Sequence, residues 1–254
     1  MNLKEAHLDY LLRLGDNALI LGQRLGEWCG HGPVLEQDIA LSNIGLDLIG
    51  QSRSLLTHAG ETEGAGRSED DLAMFRDAAG FRNFNLVEQA NGDWATTIGR
   101  QFFVDAADFF TYEWLAKNSN DETLKNIAAK SLKEITYHLR WSSEWVIRLG
   151  DGTDFSRQKM QTAIEELWMF TGELFEKNET DRLVEEFEIG PNLLKIKELW
   201  NEKVDEILSQ ATLTRPKNAW TNFYFGKNGQ HTEQLGFILA DLQILQRTYP
   251  NSVW

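Results

Sequence analysis

The chain has 254 residues, of which 42% are hydrophobic, so it is long and apolar enough to form a folded globular protein. Its formal net charge of −14 disfavours nucleic acids and anionic membrane surfaces as partners, because both require clustered lysine and arginine. The single cysteine, Cys29, excludes an internal disulfide framework and indicates a reducing compartment.

The N-terminal stretch MNLKEAHLDYLLRLGDN lacks the basic, apolar and small-residue order of a signal peptide. The sequence contains no run of about 18 apolar residues, so it predicts no membrane-spanning helix. We therefore expect a cytoplasmic protein.

The first predicted helix covers about residues 5–28 and contains Gly15, Gly22 and Gly26. Each glycine weakens a helix by about 1 kcal/mol relative to alanine. Glycines at three positions of one helix are easier to understand if a neighbouring backbone packs closely against them. We therefore predict a close helix–helix contact along this helix.

The second predicted helix, about residues 34–59, is apolar on most sides, which predicts that it is buried on most sides. Its polar exceptions Asn43, Asp47 and Gln51 are spaced by four residues and form one stripe. Residues 60–92 begin as an acidic loop and continue as a mixed region with a short helix or a hairpin. A connection of this length is typical of the long crossover in a helix bundle.

The rest of the chain is predicted to be helical, and it shows no strand-like alternation and no internal repeat. The stretch SNDE, residues 119–122, has the spacing of a capping box at the start of a helix. The five further helices are predicted at about residues 93–117, from SNDE to Gly150, and at about residues 155–177, 192–210 and 231–248.

Four long helices followed by three more predict an all-α, ferritin-like four-helix bundle with additional C-terminal helices. Each core helix has about 24 residues, or about 36 Å at 1.5 Å per residue, which suits such a bundle. Linker composition does not divide the chain, so we predict a single domain over residues 1–254.

A ferritin-like bundle raises the question of a di-iron site, which takes a Glu from each of two helices and a Glu-x-x-His pair from each of the other two. His138 is the only histidine in the middle of a predicted helix, and Glu134 lies four residues before it on the same face. The residues three positions before the five histidines are Lys4, Trp28, Leu55, Ile135 and Asn228. The chain lacks the second mid-helix imidazole, and we predict no metal ligands and no catalytic residues.

The polar residues of the core helices then require another explanation. We predict that several of them form a metal-free polar cluster at the centre of the bundle, because a buried carboxylate persists only when it is paired and hydrogen-bonded. The alternative is that some of them face solvent or a partner subunit. The predicted members are Asp47, Glu134, His138, Asn43, Asp105 and Asp108, and the first helix offers Asp16 or Gln23.

Residues 211–230 contain Arg215, Lys217 and Lys227 and no acidic residue, so they form a positive segment in an acidic chain. One interpretation is a loop packed over the bundle. The other is a contact for an acidic partner or an anionic ligand.

Five long stretches together carry a family resemblance. They are LRLGDNALILGQRLGEWCGHGPVLEQDIALSNIGLDLIGQSRSL (12–55), LVEQANGDWATTIGRQFFVDA (86–106), KEITYHLRWSSEWVIRLGDGT (133–153), QKMQTAIEELWMFTGELF (158–175) and HTEQLGFILADLQILQR (231–247). They resemble the C subunits of the bacterial ring-1,2-phenylacetyl-CoA epoxidases, which are multicomponent monooxygenases of phenylacetate catabolism. The resemblance runs over nearly the whole chain.

This resemblance implies a structural subunit with a ferritin-like fold and no working metal site. Its partner is the related A subunit, which holds the di-iron centre and the CoA-thioester site. A reductase subunit with FAD and an iron–sulfur cluster supplies electrons from NADPH. Two alternatives remain open at this point. One is a divergent di-metal carboxylate oxidase that acts on its own with Asp and Asn ligands and His138, and the other is a binding module that uses the positive segment.

Overall fold

The computed structural model describes residues 1–217, 225–250 and 252. Within these residues every regular element is a helix, and the all-α prediction is confirmed. Short 3₁₀ turns occur at Ala78–Gly80, Gly172–Leu174 and Gly226–Asn228. The α-helices are α1 (Leu3–Gly26), α2 (Leu35–Glu63), α3 (Glu69–Met74), α4 (Asn85–Glu88), α5 (Trp94–Asn118), α6 (Glu122–Gly150), α7 (Asp154–Thr171), α8 (Glu179–Glu186), α9 (Leu193–Gln210) and α10 (Glu233–Thr248).

The chain divides into two compact units. The first unit is Met1–Ala90 with Tyr224–Trp254, and the second is Asn91–Phe223. Each unit is built on one pair of long helices, α1 with α2 in the first and α5 with α6 in the second. These two pairs are the elements that a ferritin-like four-helix bundle requires. The prediction of a single domain over residues 1–254 stays a prediction.

In the first unit α1 and α2 run antiparallel and approach each other closely at glycines. A Cβ atom on Gly22 would lie 3.3 Å from the carbonyl oxygen of Gly45, and one on Gly15 would lie 2.8 Å from a methyl group of Leu56. The predicted close contact is therefore confirmed for these two positions. It is wrong for Gly26, where a Cβ atom would meet nothing within 4 Å, because Gly26 is the last residue of α1.

The long connection after α2 forms short helices and no hairpin, and a buried ion pair attaches it to α1. The Arg76 guanidinium binds both carboxylate oxygens of Asp16, one of them at 3.0 Å, and the backbone N–H of Arg82 donates to the same carboxylate at 2.8 Å. Gln243 of α10 donates to the carbonyl oxygens of Ala73 and Arg76 at 2.9 and 3.0 Å. These contacts bind the C-terminal helix to the connection.

In the second unit α7 and α9 pack on the α5–α6 pair through an aromatic core. The ring centroids of Phe103, Trp168 and Trp200 lie 5.7 Å apart in each pair, and Trp200 Nε1 donates to the carbonyl oxygen of Phe103 at 2.9 Å. Phe102 and Phe103 are fully buried. These two aromatic residues of α5 therefore belong to the core.

Each of the seven long helices predicted from the sequence has a counterpart in the structure, but two details differ. The fifth predicted helix ends at Thr171 instead of 177, and the separate helix α8 was not predicted. The first residue before α8, Asn178, caps it by accepting a hydrogen bond from the N–H of Asp181. A polar N-cap of this kind begins a new helix, which explains why the earlier one does not continue.

The start of α6 also differs from the prediction. Its N-cap is Asp121, which accepts from the N–H of Leu124 at 3.0 Å. Ser119, the first residue of the predicted capping box, instead donates to the carbonyl oxygen of Ile189 at 2.9 Å. The capping box at SNDE is therefore wrong, and α6 begins at Glu122, the last residue of that stretch.

A separate observation concerns membranes. In the part of the chain that the structure describes, no helix is long and apolar enough to cross a bilayer.

Candidate functional site

The candidate site lies on the α5–α6 pair of the second unit. Glu134, His138 and Ser142 follow one another on α6 at intervals of four residues and share one helix face. Asp105 of α5 faces Ser142, and Gln101 lies one turn before it on α5. His138, Ser142 and Gln101 are fully buried, and Asp105 is 3% exposed. The two helices thus enclose a group of buried polar side chains.

The Asp105 carboxyl group connects the two helices. Gln101 Nε2 donates to Asp105 Oδ1 at 2.7 Å, and Ser142 Oγ lies 2.7 Å from Asp105 Oδ2. Ser142 Oγ also lies 3.3 Å from the carbonyl oxygen of Leu139, and a single hydroxyl proton serves only one of these two contacts. Both contacts are filled when Asp105 is protonated, because the acid then donates to Ser142 while Ser142 donates to Leu139.

Burial favours this neutral form. Burial raises the pKa of Asp105 well above its ordinary range. The hydrogen bonds from Ser142 and Gln101 lower this pKa, but their effect is smaller than that of burial. The nearby Asp108 carboxylate raises it further. Asp108 is half-buried and lies one turn further along α5. Burial raises the pKa of Asp108 to about 7. Burial therefore favours the neutral form of Asp105 in the second unit.

The α5–α6 pair does not fit half of a di-iron centre. His138 has Ile135, which is 1% exposed, at the position where a Glu-x-x-His pair has its carboxylate. Glu134 is half-buried one turn away. Iron ligands of this type must be deprotonated carboxylates, whereas burial favours the neutral form of Asp105, whose two oxygens contact Gln101 and Ser142. This arrangement suits a structural polar contact better than metal coordination.

The other predicted members of the cluster lie on helices of the first unit. Asn43 is exposed on α2, Asp47 is half-buried and Gln51 is buried. Asp16 of α1 binds Arg76, so its carboxylate is already occupied within its own unit. The full six-residue cluster stays a prediction, and the structure brings Asp105 into contact with Gln101 and Ser142.

The three basic residues of the positive segment have different environments. Arg215 is bound to Asp205 at 2.8 Å, Lys217 is exposed, and Lys227 is only 1% exposed. Residues 218–224, which separate Lys217 from Lys227, lie outside the described residues. Their role as a partner or anion contact stays a prediction.

A second buried carboxyl group, in the first unit, was not predicted. Glu88 is fully buried and accepts from Asn83 Nδ2 at 3.0 Å and from the N–H of Thr232 at 2.6 Å. His231 Nδ1 lies 3.0 Å from Glu88, and His231 Nε2 lies 3.1 Å from the carbonyl oxygen of Phe81. Each ring nitrogen of His231 therefore contacts an oxygen atom of the first unit. This contact fastens the segment before α10 to α4.

The sequence contains a pattern that indicates the contacts around Asp105 but none that indicates the contacts around Glu88. Gln101 and Ser142 are each four residues from a predicted cluster member, so the helical spacing that selected Asp105 and His138 also reaches them. Glu88 and His231 are 143 residues apart and no local spacing connects them. Their contact follows only from the tertiary fold.

Together the two long helix pairs, each with buried polar groups between apolar layers, define an all-α protein of the ferritin-like class. Comparison with known sequences narrows this class. A model of the family described as "Phenylacetic acid catabolic protein" matches residues 2–254, and the chain belongs to that family.

One curated relative shows how close the similarity is. The C subunit of the 1,2-phenylacetyl-CoA epoxidase of Escherichia coli (strain K12) is 49% identical over 245 residues, which cover 96% of this chain and 98% of the relative. The resemblance found in the sequence is therefore confirmed over nearly the full length of both chains.

Proposed function

We propose that this chain is the non-catalytic C subunit of a cytoplasmic phenylacetyl-CoA 1,2-epoxidase complex. It binds the related A subunit and supports epoxidation of the aromatic ring in aerobic phenylacetate degradation without performing the reaction. The di-iron centre belongs to the A subunit, and FAD and the iron–sulfur cluster belong to the reductase. The observation that carries the proposal is the 49% identity to the C subunit of the Escherichia coli epoxidase, over 98% of that protein's length.

The chemistry of the α5–α6 pair supports a structural role. The reaction needs iron and oxygen, and iron needs charged carboxylates and imidazoles that converge on it. Here the most buried carboxyl group of the pair, Asp105, is held by Gln101 and Ser142, and Ile135 occupies the position of a ligand. The same residues serve well as a polar contact that fixes how α5 packs on α6.

The test is to co-express this chain with the A subunit, purify the complex, separate the subunits and measure iron in each. We expect a stable heteromer, about two irons with the A subunit and none with this chain. Epoxidation should require both subunits and the reductase.

The variant Glu134→Ala in this chain gives the matched control, because Glu134 is the half-buried carboxylate nearest His138 along α6. Iron content and the turnover of the complex should stay unchanged. About two irons bound to this chain and lost in the variant would instead support the divergent di-metal oxidase. Failure to isolate any heteromer would contradict the role as a subunit.

A further inference from the structure

Two Asn-Gly pairs occur in the chain, Asn91–Gly92 and Asn228–Gly229. Asparagine before glycine is prone to spontaneous deamidation, because glycine has no side chain to shield its backbone nitrogen. In this reaction the nitrogen of the glycine attacks the side-chain amide carbon of the asparagine. The hydrogen bonds of that nitrogen and of that amide therefore decide how fast a folded chain reacts, and they differ between the two pairs.

The first pair lies in the irregular segment just before α5. Asn91 is half-buried and Gly92 is exposed. Within the described residues the N–H of Gly92 donates no hydrogen bond. The φ angle of Gly92 is +58°, a backbone conformation that favours glycine over residues with a side chain. The attacking nitrogen thus belongs to an exposed glycine and is not held by a hydrogen bond.

The amide of Asn91 contacts a buried cation. Arg100 of α5 is fully buried, and its Nη2 donates to Asn91 Oδ1 at 2.6 Å. A guanidinium has only donors, so the atom that it contacts is the oxygen of the amide. Attack on the amide carbon places negative charge on this oxygen. A charged donor that is already in position stabilises that charge, as the donors of an oxyanion hole do.

The second pair holds its nitrogen in a turn. Asn228 is the last residue of the 3₁₀ turn Gly226–Asn228, and the N–H of Gly229 donates to the carbonyl oxygen of Gly226 at 2.8 Å. Attack by this nitrogen requires the turn to open first. Asn228 is exposed, so exposure alone does not distinguish it from Asn91. The second pair is therefore an internal reference for the first.

We propose that Asn91 is a self-modification site, at which the backbone nitrogen of Gly92 closes a succinimide ring that water opens to aspartate or isoaspartate. A bond forms between the Gly92 nitrogen and Asn91 Cγ, and the bond from Cγ to Nδ2 breaks. Nδ2 leaves as ammonia, which carries away the proton of the Gly92 N–H. Water then adds to one of the two carbonyl carbons of the ring, and the reaction needs no oxidant or reductant.

The product has a new carboxylate beside the guanidinium of Arg100. A guanidinium binds a carboxylate more strongly than an amide, so Arg100 favours the product as well as the reaction. The isoaspartate product also adds a methylene group to the main chain, two residues before the N-cap Asp93. The modification thus changes both charge and backbone length at the start of α5. This inference concerns the chain by itself and is independent of the proposed function.

The test incubates the purified full chain at mildly alkaline pH and follows both pairs in the same sample by peptide mapping and mass spectrometry. In the folded chain Asn91 should convert at least about tenfold faster than Asn228, whose glycine nitrogen is hydrogen-bonded. In denaturant the two rates should become similar, because only the local sequence then acts. Labelling with a protein isoaspartyl methyltransferase identifies the isoaspartate product.

The variant Arg100→Lys tests the role of the cation. Lysine keeps the charge but lacks the planar fork, so conversion of Asn91 should slow while that of Asn228 stays unchanged. The matched control is Arg157→Lys on α7, because Arg157 pairs with Asp154. Its two rates should equal those of the wild-type chain.

Three outcomes would overturn the proposal. The first is equal conversion of the two pairs in the folded wild-type chain, and the second is a preference for Asn91 that persists unchanged in denaturant. The third is an Arg100→Lys chain with the wild-type circular dichroism spectrum and the wild-type rate at Asn91. If this variant does not fold, the comparison of folded and denatured wild-type chain decides alone.

Discussion

Buried acids are the main feature of this chain at the scale of single residues, and three different devices stabilise them. Asp105 is hydrogen-bonded to Gln101 and Ser142, Asp16 is paired with Arg76, and Glu88 is bound by His231 and a backbone N–H group. A buried charge without such partners costs several kcal/mol. Each of these three buried acids accordingly has a specific partner.

The pKa of Asp108 predicts how stability depends on pH. Burial raises this pKa to about 7 in the folded chain, from an ordinary value of 3.8. The folded chain then binds more protons than the unfolded chain between these values, so stability falls as the pH rises through 7. Asp108→Asn removes this loss, and we expect the variant to be about 1–2 kcal/mol more stable than wild type near pH 8.

Denaturant unfolding of both proteins at several pH values measures this difference. It should shrink to nearly zero near pH 4, where the aspartic acid is neutral in the folded chain and half neutral in the unfolded one. The exposed Asp241→Asn on α10 is the control and should follow the wild-type curve. A constant difference at all pH values would mean that ionisation of Asp108 is not its cause.

The Asp16–Arg76 pair predicts a large loss of stability. Asp16→Ala leaves the guanidinium of Arg76 buried without its carboxylate, so we expect the free energy of unfolding to fall by about 3–5 kcal/mol. The double variant Asp16→Ala with Arg76→Met removes the stranded charge and should recover most of this loss. If the double variant is no more stable than the single one, the lost packing and not the stranded charge is responsible.

The sequence revealed the polar residues at this scale better than their contacts. The four-residue spacing placed Glu134 and His138 on one face correctly, because a helix fixes that geometry locally. The bond from Ser142 to Asp105 joins residues 37 positions apart, and that between His231 and Glu88 joins residues 143 apart. Such contacts depend on how whole helices pack, which local spacing does not determine.

At the scale of elements, the long helices follow from the sequence and the short ones do not. Apolar residues repeat over 16 to 29 positions in the long helices α1, α2, α5, α6, α7, α9 and α10. A repeat of that length matches the 3.6-residue period of an α-helix and is too long for a strand. Helix α8 has eight residues and too few periods for this signal. The local signal for α8 is its N-cap residue Asn178, whose side chain accepts a hydrogen bond from the N–H of Asp181.

Two glycines predict opposite effects of the same substitution. Gly236 lies on the exposed face of α10, and a Cβ atom there would meet nothing within 4 Å. Gly236→Ala should therefore stabilise the chain by up to about 1 kcal/mol through helix propensity. In α2, a Cβ atom on Gly60 would lie 2.3 Å from the carbonyl oxygen of Arg67, so Gly60→Ala should destabilise by about 2–3 kcal/mol.

Thermal unfolding of the two variants in parallel measures both effects. Because both variants replace glycine with alanine, the difference between their changes in melting temperature reflects the space available for a Cβ atom at each position. Equal effects at the two positions would contradict the close approach of Arg67 to α2.

At the scale of the whole molecule, charge limits the choice of partner. The net charge of −14 should prevent binding to polyanions, since the 39 acidic residues far outnumber the 25 lysines and arginines. We expect the chain to pass through a heparin column at about 50 mM salt and to be retained on an anion exchanger. Retention on heparin would indicate that Lys217 and its neighbours form an anion-binding surface after all.

Tryptophan residues of the second unit allow its unfolding to be followed by intrinsic fluorescence. Among the described residues, six tryptophans lie in Asn91–Phe223, and the first unit has Trp28. Intrinsic fluorescence therefore follows mainly the melting of Asn91–Phe223, which holds seven of the nine tryptophans, while far-ultraviolet ellipticity follows both units. One cooperative domain requires the two signals to share a midpoint, and two midpoints would show that the halves lose their structure separately.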